Sequence, residues 1–156
     1  EASVLPGVVY LPLFQYEAKL VVDRYHDLLK QAWVEPSDLS LLTLIHYPVD
    51  RDRLDIFRRF LDPAGVEPAE TRTAELTPMM VQLVASGRGV TCLPNWAVSE
   101  YLDSETIDVR PLGDGGLWST LFAAIRADQQ DAPFMSDFIT TAIDTCFGTL
   151  RDIRRV

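Results

Sequence analysis

Histidine and cysteine are scarce in this chain, with two of each in 156 residues. Neither His26 nor His46 stands at a zinc-type spacing, and the Cys/His set is widely scattered, so no metal site is expected. Cys92 and Cys146 form no CxxC pair and lie in apolar segments, the usual setting of buried free thiols in a reducing compartment. Basic residues are also few: 14 Lys and Arg face 23 Asp and Glu, a net charge of −9. Phosphate backbones attract basic surfaces, so contact with nucleic acid would need a separate basic module. No apolar run approaches the roughly 20 residues of a membrane helix. The opening EASVLPGVVYLPLF lacks the basic region and cleavage signature of a secretory signal, so a cytoplasmic location is expected.

Signatures of catalysis are missing too. No serine sits in a G-x-S-x-G elbow. Gly87-Arg88-Gly89 follows a helical pattern and precedes a strand, the wrong order for a dinucleotide fingerprint and the right one for a helix C-cap. Carboxylates are plentiful, but sequence alone does not pair them into an acid and a base. The expectation is a chain with no catalytic residues and no cofactor.

What is present is ordinary globular composition, 47% apolar and 24% charged. Residues 16–22 (YEAKLVV) read as a strand, with Pro6 and Pro12 upstream suiting a loop or an edge strand. Residues 23–36 look like a connection. The apolar run 41–47 has the pattern of a strand covered on both faces. A helix is predicted over about 51–61, its stripe formed by Leu54, Ile56, Phe57, Phe60 and Leu61, with Pro63 and Gly65 ending it. Thr77-Pro78 predicts a helix start, a hydroxyl cap followed by proline, and Gly87 closes that helix. A short strand follows at 90–93, then a helix capped by Asn95, then strands at 107–112 and 117–126. Gly113 to Gly116 (GDGG) is either a plain turn or a hinge. The last helix, after an Asp131 cap, carries a continuous apolar stripe from Phe134 to Leu150. Strands alternating with helices imply an α/β fold with a parallel or mixed sheet.

Two segments stand out for binding. The helix start after Tyr47 carries Arg51 and Arg53, where acids would suit the positive end of the dipole. Two readings are open. Free N–H groups, Arg51 and the Tyr47 hydroxyl hold a carboxylate, or Asp50, Asp52 and Asp55 neutralise both arginines in a solvated network. At the next helix start, Thr77 offers a hydroxyl and Glu75 a site for an ammonium, unless they are a plain cap and a surface acid. Together the segments offer one pole for a carboxylate and one for an amine, which suits an amino acid. In open α/β sheets such ligands sit outside the carboxyl ends of strands.

The blocks YEAKLVV, LIHYPVDRDRLDIFRRFLDPAGV, VQLVASGRGVTCLPNWAV and LGDGGLWSTLFAAIR resemble the effector-binding domain of LysR-type transcriptional regulators, over nearly the whole chain. The YPVDRDRLD-to-DPAG block and the GLW strand resemble the methionine-biosynthesis branch of that family. The resemblance implies two Rossmann-like lobes of the periplasmic-binding-protein type II kind, the first incomplete. Residues 1–35 would be a remnant of lobe I with a crossing strand, 36–112 lobe II, and 113–156 the return strand and last helix of lobe I. It implies ligand contacts from Tyr47, Pro48, Val49, Glu75, Leu76 and Thr77, beside the Arg51 suggested above, and homocysteine as effector. An apolar wall at Leu76 or Met79 would face its thiol, and Cys92 is a candidate for a mixed disulfide. DNA would be contacted only through an N-terminal helix-turn-helix that has no counterpart in this sequence, in a homo-oligomer, dimer or tetramer. The alternatives are a two-lobed solute-binding receptor for an amino acid and a regulatory module fused to an enzyme.

Overall fold

The computed structural model describes residues 5–156. The described residues divide into two compact units, one formed by residues 17–118 and the other by residues 5–16 with 119–156.

The larger unit is built on a mixed sheet in the order β3-β2-β4-β1-β5. Its strands are the second half of β1 (Val8–Asp23), β2 (Thr43–His46), β3 (Glu70–Thr73), β4 (Val90–Pro94) and β5 (Ile107–Pro111). β2 runs parallel to both β3 and β4, while β1 runs antiparallel to β4 and β5. Side chains alternate across the sheet, and each face meets its own cluster. Leu20, Val22, Leu44 and Val90 pack with Ile56, Phe57 and Leu61 on one side. Val21, Ile45 and Leu93 pack with Met80, Val81 and Val84 of helix α1 (Thr77–Ala85) and Val98 of helix α2 (Asn95–Leu102) on the other. That two-sided cover accounts for the apolar run read at 41–47.

Four expectations change in this unit. The helix predicted over 51–61 is a 3-10 turn at Arg51–Arg53 followed by a π-helix at Ile56–Leu61. Its apolar residues face the core in either register, so the stripe does not choose between α and π. Gly65 makes the expected left-handed exit (φ 65°). Thr77 is the first residue of α1 and not its cap, which is Leu76. Asn95 likewise opens α2 instead of capping it from outside; its Oδ1 accepts from the N–H of Trp96 (2.9 Å) and of Glu17 (3.3 Å). Strand β3 was not foreseen. ETRT is exposed at every position and carries no apolar signal, yet it pairs along the whole of β2.

β6 (Leu117–Arg126) pairs with β1, and helix α3 (Pro133–Thr149) of the smaller unit follows. β1 is longer than expected and includes Pro12. The cap of α3 is Ala132, with Pro133 in the first turn, and not Asp131. The α3 stripe has no fully buried member, and Phe134 and Phe138 are 62% and 61% exposed.

Candidate functional site

Parallel pairing of β2 with β3 sets His46 opposite Thr73, so both strands end at one edge of the sheet. The chain leaves β2 into Tyr47-Pro48-Val49 and leaves β3 into Ala74-Glu75-Leu76, and the N–H of Ala74 donates to the carbonyl of His46 (3.0 Å). The two segments singled out in the sequence are thereby side by side. Their contact is direct: the Tyr47 and Thr77 hydroxyl oxygens are 2.5 Å apart. Because Thr77 stands inside the helix, its hydroxyl is free of the capping role and meets Tyr47 instead.

The first of these segments is pinned from below. His46 Nδ1–H and the N–H of Val49 both donate to the Tyr47 carbonyl, at 2.7 and 2.8 Å. The His46 ring meets Phe57 edge to face, with centroids 5.4 Å apart. Arg51 lies over the same Phe57 ring at 4.2 Å.

Arg51 is fully engaged by carboxylates. It donates from Nε and Nη2 to Asp62 (3.0 and 2.5 Å), and from Nη1 and Nη2 to Glu67 (2.9 and 2.8 Å). These hydrogen bonds raise its pKa further, so the charge is permanent, but it is matched inside the protein. For Arg51 the neutralising acids are thus Asp62 and Glu67, while Arg53 is met by the nearby Asp50, as the second reading had it. Asp55 pairs with Arg58 and Arg59.

Across the edge, α1 presents a different surface. Its first intrahelical bond is made by the N–H of Met80 to Leu76, so the N–H groups of Thr77 and Met79 have no carbonyl within the helix, and Pro78 has no N–H at all. Glu75 is exposed and makes no ion pair among the described residues. Leu76 and Met79 are 62% and 54% exposed, a large apolar area beside these polar groups. Pro48 and Val49 are exposed opposite. Sequence reasoning missed Trp96, whose Nε1 is buried with no partner among the described residues just past β4, at this same edge.

Cys92 is partly buried between the strands of the sheet. Burial first, and the charge of Asp55 second, push it up to about 12, so it remains protonated at neutral pH, and a mixed disulfide through its thiolate is disfavoured.

A mixed sheet covered on both faces, with a polar and apolar rim outside the carboxyl ends of its parallel strands, defines an α/β small-molecule-binding domain. The chain belongs to the LysR substrate binding domain family, whose description matches residues 2–146. It is similar to the HTH-type transcriptional regulator MetR of Escherichia coli K12, with 39% identity over 143 residues, covering 90% of this chain and 44% of that protein. The MetR of Salmonella typhimurium is 37% identical over 155 residues, covering 98% of this chain and 48% of that protein. Among solved structures, the regulatory domain of the LysR family regulator MetR from N. meningitidis superposes with a TM-score of 0.91 at 33% identity. That match covers 100% of this chain and 72% of that one. The effector binding domain of QuiR, in complex with shikimate, shares the fold alone, at a TM-score of 0.73 and 18% identity over 93% of this chain and 68% of that one. This chain spans about half the length of the curated relatives it matches.

Proposed function

We propose that this chain is the effector-sensing part of a transcriptional regulator of methionine-biosynthesis genes, and that homocysteine is its effector. The observation that carries the site is the Tyr47–Thr77 hydroxyl contact, which joins the two loops at the strand ends into one rim. The relatives named MetR support the choice of pathway.

In this reading the effector carboxylate is held by the hydroxyls of Tyr47 and Thr77 and by the first-turn N–H groups of α1, at the positive end of its dipole. Glu75 receives the ammonium, Leu76 and Met79 face the thiol-bearing side chain, and Pro48 and Val49 close the opposite wall. Arg51 acts one step back: with its fork held by Asp62 and Glu67, it braces the segment that carries Tyr47. No step is catalytic. Binding alters transcription only through unequal affinity for the regulator's states, and DNA contact belongs to a basic module outside this acidic segment, in a homo-oligomer.

Calorimetric titration of homocysteine and of methionine into the wild type, Tyr47→Phe and Thr77→Ala tests the site. The expected result is tighter binding of homocysteine and a loss of about tenfold in each variant. Variants that bind as the wild type does would remove these residues from the site.

A further inference from the structure

The opposite edge of the same sheet carries a second concavity. β2 and β4 both begin there, at Thr43 and Val90, and β1 ends there at Asp23. A four-residue strand places this edge on the order of 13 Å from the Tyr47–Thr77 rim. Between these strand ends lies a cavity of about 430 Å³ lined by Asp23, His26, Thr43, Arg72, Arg88 and Gly89 among others, a volume that suits a small metabolite.

Its floor depends on the Gly87-Arg88-Gly89 turn. Gly87 takes φ +68° to end α1, and Gly89 takes φ +146° where the backbone passes the Thr43 carbonyl so closely that a Cβ would lie 2.5 Å from it. The turn thereby sets Arg88 on the cavity wall. Arg88 makes no side-chain hydrogen bond or ion pair among the described residues. On the lining of the same cavity, the Asp23 carboxylate accepts only from the N–H of Tyr25 (3.0 Å) and has no cationic partner among those residues. The two opposite charges line one cavity and are not within the 4 Å that would pair them. Arg72, by contrast, is committed to Glu70. His26 adds a donor: its Nδ1 accepts from Leu28 (3.2 Å), which leaves the neutral ring's proton on Nε2.

From this pair of unmatched charges facing one cavity we infer a second small-molecule site, distinct from the strand-end rim, for a small zwitterion of the amino-acid class. Arg88 takes the carboxylate, with His26 Nε2–H beside it, and Asp23 takes the ammonium. The inference does not rest on the homocysteine reading, because no residue is shared between the two edges.

The test is a ¹H–¹⁵N titration of the full chain with glycine and L-methionine, and with acetate and methylammonium as single-pole probes. The zwitterions are expected to shift the amides of Thr43 and Gly87 to Val90 saturably, and each single-pole probe to bind at least about tenfold more weakly. Arg88→Gln and Asp23→Asn, the second retaining the acceptor for Tyr25, are each expected to weaken zwitterion binding about tenfold with the remaining spectrum unchanged. Four results would overturn the site. These are no saturable shift at this edge, acetate or methylammonium binding as tightly as glycine, either variant binding as the wild type does, or shifts confined to residues 47–49 and 75–79.

Discussion

The hydroxyl oxygens of Tyr47 and Thr77, 30 residues apart in sequence, are 2.5 Å apart at the carboxyl edge of the sheet. One of them donates and the other accepts, so removing either leaves the second half-buried without its partner. Tyr47→Phe and Thr77→Val are each expected to destabilise the chain by about 1 kcal/mol. The double variant should cost less than the two single changes added together, and urea unfolding of all four proteins measures that coupling.

Gly89 admits no side chain. An alanine there would meet the Thr43 carbonyl at 2.5 Å in a backbone conformation that L-residues rarely adopt. Gly89→Ala is expected to cost about 1–3 kcal/mol, whereas Gly148→Ala, with open space around it, should cost none. Thermal melts of the two variants check the contrast.

Cys92 titrates far above its ordinary value of 9.0, near 12, because burial penalises the thiolate. The unfolded chain loses this proton from about pH 9 upward while the folded chain keeps it. The contribution to stability is therefore complete below pH 9 and is lost progressively between about pH 9 and 12. In a Cys146→Ser background, Cys92 should react with a disulfide reagent at about pH 8 more slowly in the folded chain than in the unfolded one. Equal rates in the folded and unfolded chain would contradict the raised pKa.

Arg51→Ala removes four hydrogen bonds to Asp62 and Glu67, yet all three groups are well exposed. Screening by solvent limits the expected cost to about 1 kcal/mol or less. Effector affinity should fall only modestly if Arg51 braces the Tyr47 segment. A loss as large as that of Thr77→Ala would make it a direct ligand contact.

The alternation of apolar residues was legible wherever both faces of a strand are covered. Leu44 and Ile45 point to opposite clusters, and the unbroken apolar run around them is itself the mark of a strand buried on both sides. Strand β3 was illegible for the converse reason: at the sheet edge Glu70 to Thr73 bury nothing, and only backbone pairing with β2 makes them a strand. The π-register of Ile56–Leu61 was hidden because its stripe serves either helix. Local acids were the natural partners to assign to Arg51, but Asp62 and Glu67 lie 11 and 16 residues away and reach it only through the fold. At the candidate site, both segments were visible as strand ends feeding helix starts. The hydroxyl contact between them was not, because it depends on where α1 begins, and a one-residue change at Thr77 converts a cap into a bridge.

The most direct test of the effector reading is an amide chemical-shift map of this chain on adding homocysteine. The account predicts saturable shifts concentrated at Tyr47, Val49, Glu75 to Thr77 and Met79, requiring about tenfold more homocysteine in Thr77→Ala. Saturable binding with those amides unmoved, or no binding by homocysteine at all, would contradict it.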